Sequence, residues 1–140
     1  MEERKRFFAT DPLARHLEIE LLEVTDGGAR ARMPVRDYHR NMFGMIHGGT
    51  IFALADHVFA ASCNSHGQVA VALQVSISYL NAVKGKQLQA EAREISLNPK
   101  LGNYEITIRD EEGTLAAVFH GLAYRRRQKI LFDRGEIVPL

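Results

Sequence analysis

Cysteine is nearly missing from this chain. Cys63 is the one cysteine among 140 residues, which excludes an intrachain disulfide framework and any cysteine-rich zinc site. A dominant sign of charge is missing too: 18 Lys and Arg stand against 17 Asp and Glu, a formal net charge of +1. That balance gives no whole-molecule field for nucleic acid or an anionic membrane. No apolar run reaches the roughly 20 residues that span a bilayer. The opening stretch MEERKRFF is charged and contains no apolar segment resembling a signal peptide. Internal repeats and low-complexity tracts are absent. What is present, 46% hydrophobic and 25% charged residues, suits a folded globular chain rather than a disordered one. The length predicts a single domain over residues 1–140, since two would each be too small to bury a good core. The expectation is a cytoplasmic protein with neither a nucleic-acid nor a membrane partner.

The local patterns alternate between two periods. Residues 1–16 read as a helical lead-in, with Asp11-Pro12 as its start signal. Residues 17–24 alternate as a strand, with Leu17, Ile19 and Leu21 on one side, and Asp26-Gly27-Gly28 marks a turn. Ala29, Ala31 and Met33 then share a face of a second strand, which makes a hairpin. Residues 36–41 form a polar loop. From 48 to 64 the apolar positions 51, 54, 55, 58 and 59 follow the helical period, and small or apolar residues fill most of the remaining circumference. Such a helix is a buried one, and Asp56 is its chief polar exception. Strands are expected at 69–79, 88–97, 104–109 and 114–124, with a short addition near 130–132 and a C-terminal extension over 125–140. The result is an α+β fold, one central helix wrapped by a mostly antiparallel sheet of five to six strands ending in a meander.

Two places in this pattern can carry chemistry. His47-Gly48-Gly49 stands at the mouth of the long helix, where unpaired N–H groups and the positive end of the dipole collect. Glycines there either let a carbonyl oxygen approach the backbone, forming an oxyanion hole, or merely make a tight turn into the helix. Asp56 either accepts hydrogen bonds from a neighbouring strand or acts as a base on water or a nucleophile on an acyl carbon. His57 faces about 100° away from Asp56 and reads as a packing or interface histidine. Cys63 reads as an inert core thiol. His39, His66 and His120 lack metal-ligand spacing. Arg125-Arg126-Arg127 with Lys129 is either a phosphate contact or a solvated end.

The run Asn41…Gly44…His47-Gly48-Gly49…Phe52…Leu54-Ala55-Asp56 resembles the signature of hotdog-fold thioesterases, and more narrowly of the PaaI-type acyl-CoA thioesterases of phenylacetate degradation. The resemblance continues through Phe59-Ala60, Cys63-Asn64-Ser65 and Gly67 to the strand at 116–124. It implies hydrolysis of an acyl-CoA thioester, with an aryl-acetyl group suggested, by homodimers or homotetramers whose sites lie at the dimer interface. Asp56 would be the base or nucleophile, and the Gly48 N–H would polarise the carbonyl. Asn41 and His47 would shape the site and position water or substrate, with Gly49, Phe52 and Ser78 against the substrate. No metal or bound cofactor is implied, coenzyme A entering as part of the substrate. Two positions depart from the pattern: Ala72 stands where some relatives carry an assisting serine, and residues 99–103 replace a basic turn. Two other functions fit the same residues. A hotdog dehydratase or hydratase would use His47 as principal acid/base with Asp56, and a non-catalytic acyl-CoA-binding domain would keep the pocket without turnover.

Overall fold

The computed structural model describes residues 2–139. Helix α1 (Glu2–Phe8) leads into α2 (Pro12–His16). Asp11 caps α2 as its side chain predicts, Oδ1 accepting the Ala14 N–H at 3.0 Å with Pro12 in the first turn. The first strand starts later than its alternation suggests. Leu17 closes α2, and Glu18 takes a left-handed backbone with φ of 61°, so β1 (Glu20–Thr25) begins at Glu20 rather than at residue 17. Within β1 the buried residues are Leu21 and Val24. The pairing register shifts between Leu21 and Glu23, and such a bulge moves the inward alternation by one residue. Ala29, Ala31 and Met33 of β2 (Gly28–Pro34) are buried, the face expected for them.

After a single 3-10 turn (Asp37–His39), α3 (Gly48–Cys63) forms, with His47 and Asn64 as its caps. Then come β3 (Gln68–Tyr79), β4 (Gln87–Leu97), β5 (Leu101–Asp110), β6 (Leu115–Leu131) and β7 (Glu136–Val138). The sheet runs β1-β2-β4-β5-β6-β3, with β7 beside β6, and each pairing is antiparallel. β4, β5 and β6 are the expected meander. The sheet has seven strands, beyond the five to six expected, because β7 is too short to show a period. Residues 125–131 continue β6 rather than starting an extension.

The sheet curls around α3, which packs chiefly on β2, β4 and β5. Small residues share the core with the helix: Ala31, Ala90 and Ala117 on the strands belong to one buried cluster with Leu54, Val58 and Phe59 on α3, all at most 2% exposed. Burying a side chain of this class contributes about 1.5–3 kcal/mol. The helix is not buried all round. Apart from Gly48 and Thr50 in its first turn, the half-buried or exposed positions along it are Gly49, Phe52, Ala53, Asp56 and Ala60, and at 100° per residue these five form one stripe about 100° wide. Asp56, expected inside the core, is exposed on this stripe in the single chain. β3 is also open. It lies at the sheet edge, and Val71, Leu73 and Tyr79 on it are each more than 40% exposed.

Candidate active site

The loop before α3 is built by Asn41. Its Oδ1 accepts the N–H groups of Phe43 at 2.9 Å and Met45 at 3.2 Å, and its backbone N–H donates to the Met45 carbonyl at 2.8 Å. Gly44, with φ of 76°, makes the reversal that this ring requires. The loop delivers the chain to His47, whose Nδ1 accepts the Gly49 N–H at 2.8 Å. Nδ1 is therefore unprotonated, and a neutral ring carries its hydrogen on Nε2. The Thr50 and Ile51 N–H groups turn to the His47 carbonyl. Among the described residues no acceptor takes the Gly48 N–H. The helix mouth thus keeps one free donor, backed by the positive end of the α3 dipole.

That donor opens on a cavity of about 670 Å³. Phe43, Met45, Ile46, Ile51, Leu80 and Val83 give it apolar walls, with Arg40 and Lys84 at its border. Tyr79 stands over the donor: its hydroxyl donates to the Gly48 carbonyl at 2.9 Å. A Cβ on Gly48 would lie 3.3 Å from the Tyr79 ring, so glycine is what lets the ring close over the helix end. A preorganised N–H beside an apolar cavity is suited to a carbonyl oxygen that gains charge.

The second group lies elsewhere. Asp56 is eight residues further along α3, roughly 12 Å along the axis and about 80° around it, and it does not line the cavity. Its carboxylate reaches solvent, yet the helix surface beside it is apolar. Partial burial first, and the nearby Asp11 second, raise its pKa from the ordinary carboxylate value. His57, the next residue, is buried, and burial lowers its pKa against the opposing pull of Asp11. Burial, followed by Asp56, pushes the Cys63 thiol up to about 12. Among the described residues no cluster of three or more His, Cys, Asp or Glu side chains could hold a metal ion.

Residues 43–117 match the model of the family described as the thioesterase superfamily. The chain belongs to that superfamily. The acyl-coenzyme A thioesterase PaaI of Escherichia coli is 33% identical over 119 residues, 84% of this chain and 85% of its own. The solved E. coli PaaI structure aligns with a TM-score of 0.87, covering 93% of this chain and 95% of that one at 30% identity. A protein of Archaeoglobus fulgidus is 39% identical over 119 residues, 84% of this chain and 77% of its own. The proofreading thioesterase EntH of Cronobacter turicensis is 32% identical over 104 residues, 72% of this chain and 76% of its own. The fold is the hotdog fold and the protein is a thioester hydrolase, as the motif around Asn41, His47 and Asp56 implies.

Within one chain of this thioesterase the expected residues fall into two groups. Asn41, His47 and Gly48 gather at the mouth of α3. Phe52 and Asp56, with Gly49, occupy the open stripe, Phe52 also resting edge-on against Phe119 at 5.4 Å between ring centres. Ser78 is exposed on β3, opposite Val118, and lies outside the cavity lining. Sequence reasoning missed Tyr79, an aromatic at the end of an ordinary strand with no motif to mark it. It also read Asp11 only as a helix start, whereas the fold brings that residue to the middle of α3. No helix is long and apolar enough to cross a membrane among the described residues.

Proposed function

We propose that the protein hydrolyses acyl-CoA thioesters in the cytoplasm at a site shared between two copies of the chain. The observation that carries this reading is the free Gly48 N–H opening on an apolar cavity. Such a donor suits the oxygen of a thioester carbonyl as it gains charge. The acyl group occupies the cavity, whose Phe43, Met45 and Val83 walls suit an aryl-acetyl or other apolar acyl chain. Asp56 of the other copy takes a proton from the water that attacks the acyl carbon and passes it to the departing sulfur, or attacks the acyl carbon itself to form an anhydride that water then hydrolyses. The Gly48 N–H holds the oxygen of the tetrahedral species, and coenzyme A leaves as its thiol. Side chains and backbone supply these groups without a metal or bound cofactor, coenzyme A being part of the substrate.

Distance supports a shared site. Donor and attacking group must both come within about 3 Å of the reacting centre, which the placement of Gly48 and Asp56 on one helix prevents. A second copy, its α3 antiparallel across a two-fold axis, brings one helix mouth to the other's midpoint. It covers the stripe around Asp56, and pairing of the open β3 edges would continue the sheet, giving a homodimer or a pair of such dimers. The dehydratase alternative needs His47 as principal acid and base, but its Nδ1 is committed to the Gly49 N–H.

The test is release of free thiol from a panel of aryl-acetyl, short and long acyl-CoAs, measured for the wild type and Asp56→Asn. Cys63 adds little background, because its thiol is buried and burial pushes its pKa up, which keeps it protonated and out of reach of the reagent. The expected result is turnover of apolar acyl groups, falling by about 10²–10⁴-fold in Asp56→Asn. Binding without thiol release across the panel would leave a binding domain, and full turnover by Asp56→Asn would remove the aspartate from the chemistry.

A further inference from the structure

The oxygen of a tetrahedral species accepts more than one hydrogen bond, and the free Gly48 N–H supplies one. The next three N–H groups of α3 are already taken. Gly49 donates to Nδ1 of His47, and Thr50 and Ile51 donate to the His47 carbonyl. The cavity wall offers few other donors. Asn81 Nδ2 donates to the Leu115 carbonyl at 2.9 Å, Arg40 donates to the Gly44 carbonyl at 3.0 Å, and Lys84 stands at the border. Neither Asn41 nor His47 lines the cavity. Tyr79 carries the one hydroxyl among the side chains that do.

That hydroxyl is close to the free N–H. Tyr79 ends β3 at the sheet edge, and its hydroxyl makes no hydrogen bond besides the one to the Gly48 carbonyl among the described residues. It stands 3.3 Å from the place a Gly48 Cβ would occupy. A Cβ lies about 2.5 Å from its own nitrogen, so the hydroxyl oxygen is no more than about 6 Å from the Gly48 nitrogen. One oxygen accepting an N–H at about 2.9 Å and an O–H at about 2.7 Å bridges a gap of that order. The present bond is also one the helix can release. Gly48 opens α3, so its carbonyl accepts within the helix by the α-helical pattern and is not stranded when the hydroxyl turns away. The ring is 53% exposed and has space to turn.

We propose that Tyr79 is a catalytic residue whose hydroxyl turns from the Gly48 carbonyl to the thioester oxygen as that oxygen gains charge, completing the oxyanion hole. The inference rests on the Gly48 N–H being the carbonyl's donor, as proposed above. The phenol keeps its proton throughout and returns to the Gly48 carbonyl when the products leave. Because the resting bond goes to the backbone, the hydroxyl binds the transition state more strongly than the substrate. Its loss therefore lowers kcat and leaves KM nearly unchanged.

The experiment uses two ligands that are not hydrolysed. One is a trifluoromethyl ketone joined through a methylene to the sulfur of coenzyme A, which hydrates to a tetrahedral carbon; the other is the propyl thioether of coenzyme A, which has no carbonyl. Affinities for both are measured with wild type, Tyr79→Phe and Gly48→Ala, beside kcat, KM and melting temperature. Tyr79→Phe is expected to melt near wild type, to lose about 10²-fold in kcat, and to lose affinity for the ketone alone. A fluorotyrosine placed at position 79 then separates a donor from a strap that only holds the helix end. Its fluorine signal should move with the ketone and stay in place with the thioether, whereas a strap keeps one partner and gives the same signal with both. A selective loss in Gly48→Ala without one in Tyr79→Phe, or a fluorine signal that does not tell the ligands apart, overturns the role of Tyr79 alone. No selective loss in either variant overturns the oxyanion site at Gly48 and the role of Tyr79 with it.

Discussion

At Gly48 the missing side chain counts for more than backbone freedom. A Cβ there would press on the Tyr79 ring at 3.3 Å and stand beside the free N–H at the cavity mouth. Tyr79 is 53% exposed and can give way. Gly48→Ala is therefore expected to fold with little change in melting temperature while kcat falls by about 10–10³-fold, since a displaced carbonyl loses its donor. Unchanged kcat in that variant would take Gly48 out of the oxyanion site. Asp56 carries the opposite balance of stability and activity. Burial and Asp11 raise its pKa in the folded chain, so the folded state binds the proton more tightly than the unfolded one. The stability linked to that proton is present below the unfolded value of about 3.9 and is lost as pH rises through the folded pKa. Asp56→Asn, which cannot ionise, should therefore melt higher than wild type at neutral pH, and the gap should close in acid. Thermal melts of both proteins at neutral and acidic pH decide this, and equal melting temperatures at neutral pH would show that the ionised carboxylate carries no penalty.

Among the elements, α3 and the meander were the most legible, because their signals are local. A helical period bounded by His47 and Asn64 needs no tertiary information, and neither do three strands separated by short turns. The start of β1 was not legible: Glu18 makes a left-handed turn without the glycine that normally announces one. The pairing of β3 with β6, which brings Val71 opposite Tyr124, is a long-range choice that no window of sequence contains. Periodicity also reported that α3 is apolar without saying which stripe its own sheet leaves open, so Asp56 was expected inside. The Asn41, His47, Gly48 and Asp56 set was legible because the motif lies in one run, whereas Tyr79 and Asp11 reach the helix only through folding. Gly121 belongs to the same class. It lies on β6 beneath Phe59, and a Cβ there would come within 2.5 Å of that buried ring. The helix cannot back away, since Phe59 is packed on Tyr104 and Phe119 as well. Gly121→Ala is expected to cost about 1–3 kcal/mol by overpacking, read as a lower denaturant midpoint with an unchanged slope. An unaltered midpoint would mean that α3 sits less firmly in the sheet than this contact requires.

For the whole molecule the decisive question is whether one chain can complete a site. Gly48 and Asp56 share a rigid helix, so no side-chain rotation closes a gap of roughly 12 Å. Only a second chain, or a large rearrangement of the first, can bring them to one carbonyl. Mixing two lesions separates these cases. Asn41→Ala breaks the loop that delivers the chain to the helix mouth, and Asp56→Ala removes the attacking group. Each variant is first shown to be folded and nearly inactive. The two are then unfolded and refolded together so that chains exchange. In a mixed dimer with shared sites, one site carries both lesions and the other carries neither. With equal amounts and random pairing about half the dimers are mixed, so about a quarter of all sites should regain wild-type chemistry. If each site were built from a single chain, every site would retain one lesion and activity would stay at the level of the separate variants. Differently tagged chains, purified through both tags, confirm that mixed dimers formed. Recovery near one quarter then places Asp56 across the interface from Asn41 and Gly48, and mixed dimers without recovery exclude a shared site.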